Sequence, residues 1–356
     1  MVQYLLREKE MFENFDKSSL KIGIVGAGNI GQVLGVSLAS EGFDIELVTR
    51  SPKGIRIDNA CVFEIAGDFG DKTYLIPTVE KMDDMTEGKD IIFIATRTFD
   101  IVNACKQVLP KLKENGVIVT IQNVFSIDKV AKVLPSSKSV CMYLDFVCTK
   151  DENIMRVNDL NGLTLGCYNK DTFEKMQLVQ QVLETFCTVH VTNDIFGFTL
   201  GRNIMNSTIS CLGAISGLRL GEILSSRRGK FLFTKLISEA IRLATRFKIQ
   251  VLPYNGQFDY YLFTSNTFKG RKYRRRMLKI LKMNNGNVKS SVLDDIEHGK
   301  KTEIDFLLGG LIRYADKFKV DTRYMKAVYT MIKEIEAGER RINANAFFDE
   351  KLNIGR

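Results

Sequence analysis

Six residues near the start of the chain have the types and spacing of a phosphate-binding turn. The apolar run Lys21 to Val25 predicts a strand, and Gln32 to Leu38 has the periodicity of a helix. Between them the first glycine of a GxGxxG makes a tight turn, the second lets the backbone approach a pyrophosphate, and the third allows close packing of helix on strand. The anion lies at the helix N-terminus. The predicted dinucleotide site is therefore Gly26, Ala27, Gly28, Asn29, Ile30 and Gly31.

The end of the second predicted strand, Phe43 to Thr49, indicates which dinucleotide is bound. Rossmann sites for NAD commonly have an acid at this position, which holds the ribose hydroxyls. Here the residue is Arg50, with Ser51 and Lys53 as nearby donors. A guanidinium binds a 2′-phosphate, whereas an acid would repel it. We therefore expect NADPH, the alternative being that Arg50 is a solvated strand-end residue.

Alternating strand and helix patterns in the first half of the chain predict an α/β fold with a doubly wound sheet. Asp90 to Thr96 and Gly116 to Gln122 are apolar runs typical of buried parallel strands, and Ile101 to Leu112 has helical periodicity between them. Shorter β-like segments lie between residues 55 and 78. Later strands are expected at Ser139 to Val147 and Leu163 to Cys167.

From about Ile195 long helical patterns replace the strands, which predicts an all-helical C-terminal domain. Ile204 to Leu218 and Lys230 to Phe247 are the clearest helices, and residues 288 to 315 and 325 to 336 indicate more. Tyr254 to Asn287 is the least regular segment. The expected organisation is an N-terminal extension (residues 1–19), an NADPH-binding Rossmann domain (residues 20–192) and a helical substrate and catalytic domain (residues 193–356).

The composition is that of a globular protein that attracts anions. Hydrophobic residues make up 45% of the 356 residues, and the formal net charge is +9. The seven cysteines show no CxxC pairing, and the two histidines, His190 and His298, are far apart, so we expect reduced thiols and no metal site. Residues 1–19 do not resemble a signal peptide and no run approaches membrane-spanning length, so a cytoplasmic protein without a membrane partner is expected.

The segment Ser290 to Gly310, SSVLDDIEHGKKTEIDFLLGG, closely resembles the C-terminal signature of the ketopantoate reductases, or 2-dehydropantoate 2-reductases. Its most specific part is Thr302 to Asp305, and the likeness extends roughly from Lys21 to Glu336. The resemblance implies hydride transfer from NADPH to the keto carbon of a small 2-oxo acid, ketopantoate to pantoate by default, as in pantothenate biosynthesis.

The same resemblance assigns roles to individual side chains. Asn123 matches an asparagine near the nicotinamide and the substrate, Ser291 matches a substrate-binding serine, and Glu303 matches the active-site glutamate. Glu303 and Asp305 are two residues apart in a helical stretch, so we expect their side chains to point to different sides. The alternative is that Thr302 and Glu303 merely begin a helix.

Several family positions are occupied differently in this chain. The family places a catalytic lysine four and eight residues before two asparagines on one helix face, where this chain has Arg202, Asn206 and Ser210. A second family lysine is Arg97, and the glycine after Asn123 is replaced by Val124. A guanidinium stays protonated, so Arg202 is a poor proton donor, but it can stabilise an alkoxide and bind a carboxylate in bidentate fashion.

Three hypotheses follow. The first is an NADPH-dependent reductase of ketopantoate or of a different 2-oxo acid, with Arg202 and Glu303 catalytic and with Asn206 and Ser210 binding substrate. The second is a catalytically weak or idle NADPH-binding member of the family. The third, nucleic-acid binding by the eight basic residues within 269–282, is disfavoured, because no nucleic-acid-binding motif accompanies them. The sequence allows a homodimer without deciding the oligomeric state.

Overall fold

The structure is a computed structural model, in which residues 16–50, 55–121, 129–167 and 169–353 are described. Their contacts divide into two compact units, the first reaching Ile195 and the second beginning at Phe196. The sequence prediction put the corresponding boundary between residues 192 and 193. The possible phosphate donors Ser51 and Lys53 and the candidate residue Asn123 lie outside the described residues.

The first unit is an α/β structure, as predicted. Its helices are α1 (Asn29–Ser40), α2 (Ile101–Val108) and α3 (Phe173–Glu184). Its strands are β1 (Lys21–Val25), β2 (Asp44–Val48), β3 (Ile55–Ile57), β4 (Ala60–Gly67), β5 (Lys72–Val79), β6 (Lys89–Ile94), β7 (Leu112–Ile121), β8 (Ser139–Asp151), β9 (Ile154–Cys167) and β10 (Val189–Val191). The strands predicted at 139–147 and 163–167 are parts of the longer β8 and β9.

These strands form one mixed sheet in the order β10-β9-β8-β7-β6-β1-β2-β5-β4-β3, and a further pairing of β4 with β9 curls it round. The strands from β8 to β5 across the middle are parallel, whereas β3 with β4, β4 with β5 and β8 with β9 are antiparallel. The chain leaves β1 toward β2 and later returns to β6 on its other side. This change of direction is the topological switch point at which parallel sheets bind ligands.

The side chains of the central strands belong to two hydrophobic cores, one on each face of the sheet. Ile22 and Ile24 of β1 belong to the core that contains α1, whereas Val25 packs with α2 on the opposite face. Helix α1 contacts β1, β2, β4, β5, β8 and β9, and its residues from Gly31 to Leu38 are all buried. The curled sheet therefore surrounds the helix that follows the GxGxxG and fixes its N-terminus.

A buried ion pair stabilises the first unit near the start of β6. Lys89 Nζ lies 2.8 Å from Glu46 Oε2, with 2% and 10% of these side chains exposed. The backbone N–H and the hydroxyl of Thr86 also donate to Glu46. Burial by itself raises the pKa of Glu46, but the hydrogen bonds from Lys89 and Thr86 outweigh it and hold the pKa below its ordinary value.

Replacing Lys89 with methionine is expected to lower the free energy of unfolding by about 3–5 kcal/mol, because the Glu46 carboxylate would stay buried without its cation. The stabilisation from Glu46 is present above its unfolded-state pKa, ordinarily about 4.5, and is lost as the pH falls through the lower folded-state value. Urea unfolding of the parent, of Lys89→Met and of Glu46→Gln between pH 3 and pH 7 would measure both the loss of stability and its dependence on pH.

Lys113→Met is the matched control, because Lys113 pairs with Asp90 at 2.7 Å and is 46% exposed. Such a surface pair contributes less than about 1 kcal/mol. Equal losses in Lys89→Met and Lys113→Met would show that the buried pair is not special.

The second unit is helical in the described residues, as the sequence predicts. Its helices are α4 (Ile195–Ser216), α5 (Leu220–Ile223), α6 (Arg227–Arg246), α7 (Tyr260–Thr264), α8 (Phe268–Asn285), α9 (Ser291–Glu297), α10 (Ile304–Lys317) and α11 (Arg323–Glu336). Helix α4 is central, since most of its residues from Leu200 to Ser216 are buried. Helix α6 packs its apolar face against α7, α10 and α11.

Two sequence interpretations of this unit were wrong in detail. The sequence predicts that 254–287 is the least regular segment, yet Phe268–Asn285 within it is an 18-residue helix. Its buried apolar residues, Met277, Leu278 and Leu281, are few among many cations, so the amphipathic pattern is weak. The expected helix over 288–315 is two helices separated by a turn at Gly299, which has a φ of +62°.

All seven cysteines are free thiols. Among the described helices, none is long and apolar enough to cross a membrane.

Candidate active site

The GxGxxG forms the tight turn that the sequence predicts. Gly26 has a φ of +105°, and its N–H donates to the Val48 carbonyl at 3.0 Å. A Cβ on Gly31 would lie 1.8 Å from the Gly26 carbonyl oxygen, so only glycine fits there. A Cβ on Gly28 would meet no atom within 4 Å and would project into open space. This open backbone surface is where a pyrophosphate could approach.

The N-terminus of α1 is suited to an anion. Gly28 is the N-cap residue and provides no capping side chain, and the first turn contains no acid. Its backbone N–H groups therefore carry the partial positive charge of the helix end. Gln32 Nε2 donates to the Ala27 carbonyl at 2.8 Å and Asn29 Nδ2 to the Cys148 carbonyl at 3.4 Å, which hold the turn in place, while Ile30 packs against the core.

Three further side chains of the first unit lie at the carboxyl ends of β2 and β6. Arg50 directly follows Thr49 and is largely exposed, with Nη2 3.9 Å from Asp100 Oδ2. Arg97 is also exposed. The hydroxyl of Thr96 is buried without a hydrogen-bond partner in the described chain, and its methyl group would be 3.4 Å from a Cβ on Gly26. An unpaired hydroxyl and two arginines near the turn fit a phosphorylated cofactor.

In the second unit Arg202 is a buried cation on α4, with only 7% of the residue exposed. Its guanidinium carbon lies 5.2 Å from the ring centroid of Phe198 and 4.7 Å from that of Tyr254. These cation–π contacts hold the planar group in one orientation and shield it from water. A shielded, permanently charged group is suited to binding a carboxylate or a developing alkoxide.

The backbone next to Arg202 explains how Tyr254 reaches it. A Cβ on Gly201 would lie 2.6 Å from the Leu252 carbonyl oxygen, so this glycine permits a close approach to the 251–260 segment. The hydroxyl of Tyr260 donates to the Gly201 carbonyl at 2.5 Å, and the Leu252 N–H donates to the Gly197 carbonyl. The segment is thereby held against α4 beside the guanidinium.

The other polar residues predicted on α4 lie further along the same helix. Asn206 is exposed, whereas Ser210 is buried with its hydroxyl 3.1 Å from that of Ser291. Ser290 caps α9 by accepting from the Leu293 N–H at 2.9 Å, and its hydroxyl donates to the Ser210 carbonyl. The structure therefore brings Ser210 and Ser291 together as a hydroxyl pair, and the cap on α9 positions it.

Glu303 lies at the N-cap position of α10, and its carbonyl accepts from the N–H groups of Phe306 and Leu307. Asp305 accepts a hydrogen bond from the Tyr329 hydroxyl at 2.5 Å and lies 3.6 Å from Lys333 Nζ, so it is used in packing α11 on α10. Burial first, and then this bond, raise the pKa of Tyr329. The Asp305 carboxylate is thus assigned to the packing of α11 on α10.

Sequence reasoning missed four residues beside these groups. Phe198 lies four residues before Arg202 on the same helix, a spacing that could have indicated the contact. Tyr254 is distant in sequence and gave no signal. Asn203 donates weakly to the Leu307 carbonyl, at 3.4 Å, and its side-chain oxygen is buried without a partner among the described residues. Thr96, at the end of β6, could have been found from the switch-point rule.

The phosphate-binding turn at a switch point and the helical unit with a buried cation define a two-unit oxidoreductase with a Rossmann cofactor domain. Residues 22–170 match the family described as Ketopantoate reductase PanE/ApbA, and residues 195–336 match its C-terminal domain. The chain belongs to the ketopantoate reductase family.

Individual relatives are distant but extend over most of the chain. A 2-dehydropantoate 2-reductase of Pyrococcus horikoshii is 22% identical over 334 residues, which cover 89% of this chain and 98% of the relative. The crystal structure of a PanE/ApbA family ketopantoate reductase from Ralstonia eutropha JMP134 superposes with a TM-score of 0.74 at 17% identity, over 90% of this chain and all of that one. The ternary structure of D-mandelate dehydrogenase with NADH and anilino(oxo)acetate gives a TM-score of 0.73 at 15% identity, over 90% of this chain and 99% of that one.

Proposed function

We propose that the protein reduces a small 2-oxo acid to the 2-hydroxy acid with NADPH. The observation that carries this proposal is the buried Arg202 guanidinium between the rings of Phe198 and Tyr254. A 2-oxo acid has a carboxylate next to its reacting carbonyl and becomes an alkoxide on reduction. A permanent, shielded cation stabilises both charges.

NADPH would supply the hydride to the keto carbon. The backbone N–H groups from Gly26 to Gly31 would bind its pyrophosphate, and Arg50 would bind its 2′-phosphate. Arg97 and Thr96, which lie near the turn, would make further contacts with the cofactor. The backbone that is open at Gly28 and the uncapped α1 N-terminus fit this group. Asn123, which lies outside the described residues, stays a proposed contact of cofactor and substrate on the family resemblance alone.

The chain's own residues would bind and orient the substrate. The bidentate guanidinium of Arg202 would hold the carboxylate and offset the charge that grows on the keto oxygen. Asn206, Ser210 and Ser291 would contact the rest of the substrate, and Glu303 would orient it and its proton source. Because Arg202 does not release a proton, the proton for the alkoxide would come from a water molecule.

The substrate proposed by default is ketopantoate, which would place the reaction in pantothenate synthesis, and a different 2-oxo acid is the alternative. The activity would be measured by mixing purified protein with NADPH and a panel of 2-oxo acids while the absorbance of the reduced nicotinamide at 340 nm is followed. Turnover with at least one member is expected. NADPH binding without any turnover would instead favour the hypothesis of a catalytically idle NADPH-binding protein.

That the protein forms a homodimer stays a prediction.

Arg50→Gln is expected to lower kcat/KM for NADPH by about 10- to 100-fold and to change the value for NADH by less than threefold. A charge-assisted hydrogen bond to the 2′-phosphate contributes about 1.5–3 kcal/mol, and NADH lacks that phosphate. Steady-state kinetics with both cofactors would measure the ratio.

Arg156→Gln is the matched control, since Arg156 is also exposed in the first unit and paired with one acid, Asp151, at 2.8 Å. It should leave both values unchanged. Equal losses for NADPH and NADH in Arg50→Gln would mean that Arg50 does not contact the 2′-phosphate.

A further inference from the structure

A groove of about 1130 Å³ lies between α6 and α8 in the second unit. One face of α6 lines it along the whole helix, from Arg227 to Arg246, which corresponds to about 30 Å at 1.5 Å per residue. Arg271, Arg274 and Arg275 of α8 form the opposite side. None of the residues assigned above to the cofactor or to the substrate lines this groove.

The groove is strongly basic. Nine of its eighteen lining residues are lysine or arginine, and among the described residues that line it none is aspartate or glutamate. Helix α6 contributes five of the cations, spaced three to seven residues apart along its length: Arg227, Lys230, Lys235, Arg242 and Arg246. The basic run that the sequence shows in 269–282 therefore supplies only one side of a larger positively charged surface.

These charges are poorly neutralised by the protein itself. Of the nine cations, Arg242 alone has a described carboxylate within 4 Å, that of Glu239 at 3.8 Å. The Glu239 carboxylate also accepts from the backbone N–H groups of Tyr324 and Met325. Burial and then the nearby charge of Arg271 lower the pKa of Arg274, a sign of like-charge repulsion. An anion in the groove would relieve this repulsion.

The shape and lining of the groove select among anionic partners. Phe231 is the single aromatic side chain among the described lining residues. Its ring centroid lies 4.9 Å from the guanidinium carbon of Arg228 and 5.3 Å from Lys235 Nζ, and the ring of Tyr324 packs edge-on against it. Nucleic-acid bases would therefore find no stacking platform. The lining residues Ile241 and Leu278 are buried, so they cannot insert into a membrane.

A second copy of the chain is also a poor occupant. In a twofold-symmetric dimer the same patch would meet itself, which would place these cations against their own copies. The cations that line the groove over about 30 Å favour an extended, multiply charged anion without bases or acyl chains. We propose that the groove binds a linear inorganic polyphosphate chain, held through the charges of its phosphate groups.

Binding would be tested on the full-length protein with fluorescently labelled inorganic polyphosphate of about 15 phosphates, by anisotropy titration at 50 to 300 mM salt. If about six phosphates are neutralised, log Kd should rise with log salt with a slope of about 4. Failure of polyphosphate to bind, or binding that does not depend on salt, would overturn the proposal.

Two triple variants locate the site. Lys230→Gln, Arg246→Gln and Arg275→Gln together remove three exposed groove cations. Lys272→Gln, Arg276→Gln and Lys279→Gln together remove three exposed cations of α8 that do not line the groove. The groove variant should lose at least about 10-fold in affinity and about 2 in salt slope, the control less than threefold. Equal losses would show diffuse attraction and no site.

Competition separates polyphosphate from other anions. Single-stranded DNA and an abasic phosphodiester chain of the same length, and vesicles with 30% anionic lipid, would be titrated against the labelled polyphosphate. DNA that bound at least 10-fold tighter than both polyphosphate and the abasic chain would show that bases are contacted, and preferred binding of vesicles would show a membrane surface. Either result would overturn the proposal. NADPH turnover should be unchanged in both triple variants, so this test is independent of the proposed reductase activity.

Discussion

Gly31→Ala is expected to weaken NADPH binding by more than about 100-fold and to lower the free energy of unfolding by about 3 kcal/mol. The added Cβ would be placed 1.8 Å from the Gly26 carbonyl oxygen, and both partners are backbone-fixed atoms that cannot rotate away. To relieve this overlap, α1 would have to move away from the turn. The sheet that surrounds α1 opposes such a movement. Overpacking of this kind outweighs the gain of about 1 kcal/mol in helix propensity.

Gly28→Ala separates binding of the cofactor from stability of the fold. Gly28 has extended backbone angles that alanine can adopt, and its Cβ would meet no protein atom within 4 Å. We expect the free energy of unfolding to change by less than about 1 kcal/mol. The methyl group would nevertheless occupy the space through which a pyrophosphate approaches, so NADPH affinity should fall by about 10-fold or more.

Both glycine variants would be compared by NADPH fluorescence titration and by urea unfolding followed by circular dichroism. Gly35→Ala serves as a control within the same helix, because its Cβ would lie 3.1 Å from the Ile76 side chain, which can shift. Normal NADPH affinity in Gly28→Ala would contradict the assignment of the turn as the pyrophosphate site.

Arg202→Met is expected to lower kcat/KM for the 2-oxo acid by about 1000-fold, or about 4 kcal/mol of transition-state stabilisation. Methionine is apolar and flexible enough to fill the space between Phe198 and Tyr254, so the fold should be retained. NADPH affinity should be unaffected, since Arg202 is proposed to act on the substrate. Arg276→Met, which removes an exposed arginine of α8, should leave turnover unchanged.

Arg202→Lys distinguishes the competing hypotheses. A lysine keeps the charge but loses the bidentate fork and much of the stacking, so we expect KM to rise about 10-fold while kcat changes by less than 10-fold. A kcat that rose at least 10-fold would show that lysine is the better proton donor and that the parent is a weakened enzyme. If Arg202→Met retained full activity, the proposed substrate site would be wrong.

The local elements of the first unit could be predicted because each has a short-range cause. The apolar runs that become β1, β6 and β7 are buried on both faces of the sheet, so their composition alone indicates parallel strands. The glycine spacing predicts the turn because the closest contact that requires glycine, between Gly31 and the Gly26 carbonyl oxygen, lies within the same six-residue motif. The pairing of β4 with β9, which curls the sheet round α1, joins segments about 90 residues apart, and no local pattern encodes it.

The candidate substrate residues were predicted by resemblance, and the structure supplies their surroundings. The spacing of Arg202, Asn206 and Ser210 places them on one face of α4. Their unequal exposure and the contact of Ser210 with Ser291 depend on how α9 packs against α4. Likewise, the sequence shows two acids at 303 and 305, but only the packing of α11 on α10 shows that the Asp305 carboxylate is occupied by Tyr329.

The sequence by itself determined the phosphate-binding turn, the strand-end arginine and the change from an α/β to a helical region, because these depend on residue type and spacing within one or two elements. Only the tertiary structure decided that Tyr254 contacts Arg202 and that cations of α6 and α8 line the same groove. Both arrangements bring together residues that are tens of positions apart, and packing of whole helices sets such distances.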